Sequence, residues 1–241
     1  MYKELVVFGT SSAEVFDYIF GDNPSYYPFW ASGWSARGLR EVKESNNIMK
    51  PYIPYLSKIS KDANIILCFG DVDLDFNLPY KIHNQRFYNF PKFIEEMCEG
   101  ILALRDYLNK LGFSNIYAAL PIAPIRLPDV YWAYPSLPHK TRGNLYLNFV
   151  KILSQSIPMI DCFYSLIESV DNPVCAYSFF RNKNDHHIDY VKAQDVIYSN
   201  LLEIDGILEQ RSPKHTELYV HVPKHIKSIL RDNSPRIRTC R

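Results

Sequence analysis

Short apolar runs alternate along this chain with longer stretches in which apolar residues recur every three or four positions. The runs at 5–8, 65–69, 116–122, 159–163 and 174–177 are bounded by polar or turn residues and predict five strands. Between them lie helical patterns. The clearest covers 91–110, where Ile94, Met97, Ile101, Leu104 and Leu108 share one face, Pro91 suits the first turn and Gly112 follows the end. Others cover 144–155 and 190–209, the last running through Val191, Val196, Leu201, Ile204 and Leu208. Such alternation predicts an α/β protein, a three-layer α/β/α sandwich around a mostly parallel five-stranded sheet. Residues 1–210 are expected to form this domain, and 211–241 an extension with a short strand or helix and a basic tail.

Ligands of open parallel sheets bind beyond the carboxyl ends of the strands, so the polar residues at those ends carry the candidate chemistry. Three loops qualify: Gly9-Thr10-Ser11-Ser12, Gly70-Asp71-Val72-Asp73-Leu74-Asp75, and Arg181-Asn182-Lys183-Asn184-Asp185-His186-His187. The first places a serine between an apolar run and a helix pattern, where unpaired backbone N–H groups polarise a hydroxyl or hold an oxyanion. A glycine with a serine helix cap is the plainer reading of the same residues. Adjacent histidines in the third loop have a plain reading too, with Asp185 as a helix cap. Together, however, a serine, a histidine and a carboxylate are the parts of an acyl-transfer site.

These residues resemble the SGNH/GDSL hydrolase superfamily, especially its divergent branch associated with polysaccharide biosynthesis. Gly9-Thr10-Ser11 is similar to the first block, Gly-Asp-Ser, and Gly33 within Ser32-Gly33-Trp34 to the second. Gly70-Asp71-Val72-Asp73 is similar to the third block, and Asn184-Asp185-His186-His187-Ile188 to the last, usually Asp-x-x-His. The resemblance implies an SGNH/flavodoxin-like fold and an esterase or acyltransferase acting on an acylated carbohydrate. It gives Ser11 as nucleophile, His187 as base and Asp185 as its orienting carboxylate, with Gly33, Gly70, Asp73 and His186 in the oxyanion and substrate-binding set. No cofactor and no metal are implied. Thr10, Val72 and Asn184 depart from the motifs, which leaves open His186 as the base or a site that has lost hydrolysis.

Two rival functions stay in view. The alternating carboxylates Asp71, Asp73 and Asp75 resemble the Asp-x-Asp element with which nucleotide-sugar glycosyltransferases hold a divalent cation. A catalytically degenerate glycan-binding protein of the same fold is the other. Composition trims the alternatives further. The formal charge of +1 argues against a nucleic-acid partner. The aromatic share is 15%, concentrated in Tyr26-Tyr27-Pro28-Phe29-Trp30 and Tyr131-Trp132-Ala133-Tyr134, which suits either a core or a groove for a sugar. Cys68, Cys98, Cys162, Cys175 and Cys240 show no close pairing and are expected as free thiols in a reducing compartment. With no apolar stretch near the roughly 20 residues of a membrane span, a soluble, cytoplasmic protein is expected. The oligomeric state is left open.

Overall fold

The computed structural model describes residues 1–21, 23–41 and 52–214. Strands β1 (Leu5–Gly9), β2 (Tyr26–Trp30), β3 (Asn64–Cys68), β4 (Asn115–Ala119) and β5 (Met159–Ile160) form one all-parallel sheet in the order β2-β1-β3-β4-β5. Every residue of β1 and β3 is buried, as expected of central parallel strands covered on both faces. The helices are α1 (Glu14–Phe20), α2 (Ile53–Leu56), α3 (Leu78–Gln85), α4 (Phe90–Lys110), α5 (His139–Leu153) and α6 (Tyr190–Leu201). The chain steps from β1 to β2 in one direction and from β3 through β5 in the other. With right-handed crossovers this puts α1 on one face and α4 and α5 on the opposite face. In keeping with this, α1 packs on α6 and α4 on α5. The reversal leaves a crevice between the carboxyl ends of β1 and β3.

Several elements differ from the sequence reading. The stretch 174–177 is not a strand: Cys175 makes only an isolated antiparallel bridge to Ile167, and a 3-10 turn follows at Tyr177–Phe179. Pro173 lacks the N–H a ladder needs, and the Cys175 N–H is taken by the Pro124 carbonyl at 3.0 Å. The fifth strand is instead β2, whose Pro28 sits opposite Val7. β2 is an edge strand, where a missing N–H is tolerated. β4 stops before Pro121, α5 starts at His139 rather than 144, and α6 ends at Leu201. Ile204 and Leu208 remain buried in the turns beyond α6. Residues 215–241, including the basic tail and Cys240, lie outside the described residues; Cys68, Cys98, Cys162 and Cys175 are free thiols. No helix among the described residues is long and apolar enough to cross a membrane.

Close packing also fixes the loop after β2. A Cβ on Gly100 of α4 would lie 1.9 Å from the Ala36 carbonyl oxygen, so only glycine lets α4 approach there. Arg37 binds the α4 residue Glu96 at 2.5 Å and lies 4.5 Å from the Phe93 ring centroid.

Candidate active site

The turn after β1 is built by close approach rather than by unusual backbone angles. A Cβ on Gly9 would meet the Cys68 carbonyl oxygen at 2.6 Å and the Ala13 methyl at 2.8 Å, so glycine is required for β1 and β3 to stay paired while the chain bends. Thr10 donates its N–H to the Cys68 carbonyl at 3.0 Å. A 3-10 turn, Ser11–Ala13, then feeds directly into α1.

Ser11 stands at the tip of that turn with its Oγ 2.8 Å from Nε2 of His187. The other ring nitrogen, Nδ1, is 2.7 Å from Oδ1 of Asp185, which also accepts the His187 backbone N–H at 3.0 Å. Asp185 reaches the ring from only two residues away because this backbone bond folds the loop back on itself. Arg181 holds the second oxygen of Asp185 at 3.0 Å. Burial alone would raise the Asp185 pKa, but the His187 hydrogen bonds and the His187 and Arg181 charges outweigh it and hold the carboxyl well below the usual range. Tyr190, opening α6, donates its hydroxyl to the Ser11 carbonyl at 3.1 Å. The segment carrying His187 and Tyr190 and the turn carrying Ser11 are therefore pinned to each other twice.

His186 does not reach Ser11 in this way. Its ring lies 3.8 Å, centroid to centroid, from that of His187, and its Nδ1 is 3.3 Å from the Tyr131 hydroxyl. Burial, followed by the charge of His187, pushes its pKa down to about 3, so it stays neutral. It lines the wall of the site beside Trp132.

The acidic loop after β3 does not gather its carboxylates. Asp71 is buried beneath the nucleophile turn: the Thr10 hydroxyl lies 2.6 Å from both its oxygens, and the Ser12 hydroxyl donates to one of them. Burial raises its pKa, with those hydroxyls opposing. Asp73, expected to touch substrate, faces the other way and accepts the Ala36 N–H at 2.6 Å and the Arg37 N–H at 3.4 Å. Asp75 forms a buried ion pair with Arg142 at 2.9 Å. Among the described residues, the group whose donor atoms lie close enough to hold a metal ion is Asp185, His186 and His187, not the acidic loop. Gly70, also expected in the substrate-binding set, is turned inward; a Cβ there would meet Phe149 at 2.7 Å, and its φ is +127°. Gly33 (φ +78°) is exposed and lines the site with Ser11.

The loop's backbone is a single wide turn, Val72–Asn77, with hydrogen bonds spanning five residues. Such turns leave carbonyls without the usual helical partner. Here the Trp132 indole N–H donates to the Asp75 carbonyl at 2.9 Å and the Tyr134 hydroxyl to the Phe76 carbonyl at 3.1 Å. The two aromatic clusters are thus used differently: Tyr26 and Phe29 are core, Trp30 is buried but borders the site, and Tyr131 and Trp132 line it. Arg142 and the wide turn are what sequence reasoning did not assign; Asp71, read there as part of a cation-binding element, instead supports the turn that carries Ser11.

Asp73 yields a pH prediction. Burial, opposed by the Ala36 and Arg37 N–H groups, lifts its pKa from 3.8 to about 7. The folded state then holds this proton more tightly than the unfolded chain does. The resulting stability is complete below the unfolded value and is lost as pH rises through 7. Thermal unfolding should occur at a lower temperature at pH 8.5 than at pH 5.5, and Asp73→Asn should narrow the gap. An undiminished gap in the variant would assign the pH dependence elsewhere.

No protein-family model matches the chain, and no curated protein matches it in sequence. Solved structures do. A GDSL-like lipase from Bacteroides thetaiotaomicron VPI-5482 is 10% identical and aligns over 83% of this chain and 88% of its own, with a TM-score of 0.50. A candidate platelet activating factor from Streptococcus pneumonia is 13% identical over 84% of each chain, with a TM-score of 0.53. At these identities the likeness concerns the fold, and the fold is an α/β SGNH/GDSL-like one.

Proposed function

We propose that this protein is a serine esterase or acyltransferase of the SGNH type acting on an acylated carbohydrate. The observation that carries the reading is the unbroken relay Ser11 Oγ, His187 Nε2, His187 Nδ1, Asp185 Oδ1, at 2.8 and 2.7 Å. Ser11 Oγ attacks the acyl carbonyl and passes its proton to His187, while Asp185 holds the ring in the tautomer that presents a bare Nε2. The oxyanion sits against the backbone N–H groups of Ser11 and Gly33. His187 then protonates the departing alcohol. Water, or a second sugar hydroxyl, attacks the acyl-enzyme with His187 as base, releasing acid or transferred ester and restoring Ser11.

A cavity of about 270 Å³ lined by Ser32, Glu14, Tyr131, Arg181, Asn184 and His187 supports a hydroxyl-rich alcohol as the leaving group. Val72 stands where the family has an asparagine donor, and loss of one oxyanion donor typically costs about 10²–10³ in turnover. Slow hydrolysis is the expected behaviour.

A fluorophosphonate probe tests the reading, since it reacts only with an activated serine. Mass spectrometry is expected to place the adduct on Ser11, with no adduct in His187→Ala. Labelling at another serine, or none, would remove the nucleophile. It would leave the glycan-binding alternative, for which no ester turnover is expected.

A further inference from the structure

A second cavity, of about 240 Å³, meets the first at Ser11, Ser32 and His186. Its apolar walls are Val72, Phe76 and Trp132, with Gly33 at one side and Asn77, Asp71 and Asp75 completing the lining. We propose that it is an acyl-chain site, built for an unbranched aliphatic acyl group longer than acetyl. The proposal rests on Ser11 acting as the nucleophile and adds the chemistry of the acyl group.

The assignment follows from what the reacting carbon must present. After attack it carries the Ser11 oxygen, the oxyanion, the departing alkoxy oxygen and the acyl carbon. The new bond is Oγ–C; the bond that breaks joins that carbon to the alkoxy oxygen, which leaves with the proton His187 took from Ser11. The alkoxy oxygen must therefore face His187, which lines the polar cavity and not this one. Gly33 lines this one and not the polar one, which draws the oxyanion to this side. The acyl carbon is left to run between Trp132 and Val72.

The walls suit it. The Trp132 N–H is spent on the Asp75 carbonyl, so its ring is fixed and presents carbon. Phe76 packs edge-on against it at 5.1 Å. Of the two carboxylates at the back, Asp71 is engaged with Thr10 and Ser12, and Asp75 pairs with Arg142 through Oδ1, its Oδ2 being buried without a hydrogen-bond partner among the described residues. Phe76 is 38% exposed, so the cavity reaches solvent along this wall and has room for a chain of several carbons. Acetyl would leave most of this surface uncovered.

The test compares kcat/KM for 4-nitrophenyl acetate, butyrate and hexanoate, whose leaving group is constant, in parallel with fluorophosphonate labelling of Ser11. Burial of each methylene is worth about fourfold, so hexanoate should exceed acetate by at least about tenfold. Trp132→Ala, which opens the wall, and Val72→Phe, which fills the cavity from the opposite side, should each bring the hexanoate-to-acetate ratio toward one. Because the two variants perturb the wall in opposite senses, a folding failure in one leaves the other to decide. A ratio near one in the wild type, or a ratio retained in the folded variants, with Ser11 still labelled, overturns the acyl site and spares the nucleophile. No labelling and no ester turnover overturn both.

Discussion

Replacing Ser11 with alanine is expected to take ester turnover below detection, while Asp185→Asn leaves a measurable remnant. Where serine and histidine act as a unit, losing either costs about 10⁶ in kcat. An orienting carboxylate changed to its amide costs about 10⁴, because the ring then rests in the wrong tautomer. The second figure bears directly on this chain, whose motif position 184 is asparagine. In the proposed mechanism Asp185 takes the orienting role from the adjacent position, held there by the backbone N–H of His187 and by Arg181. Asn184→Asp should therefore not raise activity materially. The measurement is steady-state hydrolysis of a chromogenic ester, with thermal unfolding to verify each fold. If Asp185→Asn matched the wild type while Asn184→Asp gained a large increment, the orienting role would pass to position 184. Equal rates for Ser11→Ala and wild type would end the esterase reading.

Arg142→Leu is expected to cost about 3–5 kcal/mol of stability, the usual penalty for stranding one member of a buried ion pair. Arg142 and Asp75 are both almost wholly inaccessible, and the guanidinium also donates to the carbonyls of Ile125 and Leu137. It thus ties α5 to the loop after β4 and to the wide turn after β3. Exposed pairs such as Lys92–Glu95 give no comparable effect, since solvent screens them. Urea unfolding of Arg142→Leu and of Arg142→Leu/Asp75→Leu separates the contributions. The double variant should recover part of the loss, because no buried charge is then left alone. A single-variant loss below about 1 kcal/mol would show that water reaches the pair.

Local chemistry made Ser11, Asp185 and His187 legible. Each sits at a boundary where an apolar run or a helix pattern changes, and such boundaries show in one dimension. Asp71, Asp73 and Asp75 are chemically alike in sequence, yet each faces a different neighbour. Only the pairing of β1 with β3 brings Asp71 under Thr10 and Ser12, and only the packing of the loop after β2 brings the Ala36 and Arg37 amides to Asp73. β2 was hidden for a related reason. Its aromatic residues suit either a core or a groove, and its proline argues against a strand until an edge position excuses the missing N–H; edge position is a property of the sheet. The stretch 174–177 erred in the opposite direction: Val174 is buried, but beside the Ile167–Cys175 bridge rather than in a fifth parallel strand, and Tyr177 is exposed.

The relay joins groups 176 residues apart in the chain. On a ribosome adding about 5–20 residues per second, the serine is made roughly 9–35 s before the histidine proposed to activate it. Throughout that interval the growing polypeptide holds an ordinary alcohol, because both the base and Tyr190, which grips the Ser11 carbonyl, are still to be synthesised. Closure needs later residues as well: Lys3 donates its N–H to the Gly206 carbonyl, and Arg211 to that of Ile19, each at 2.8 Å. Under the proposed mechanism reactivity thus waits for residues 185–211, and a fragment severed before residue 185 would be born chemically silent.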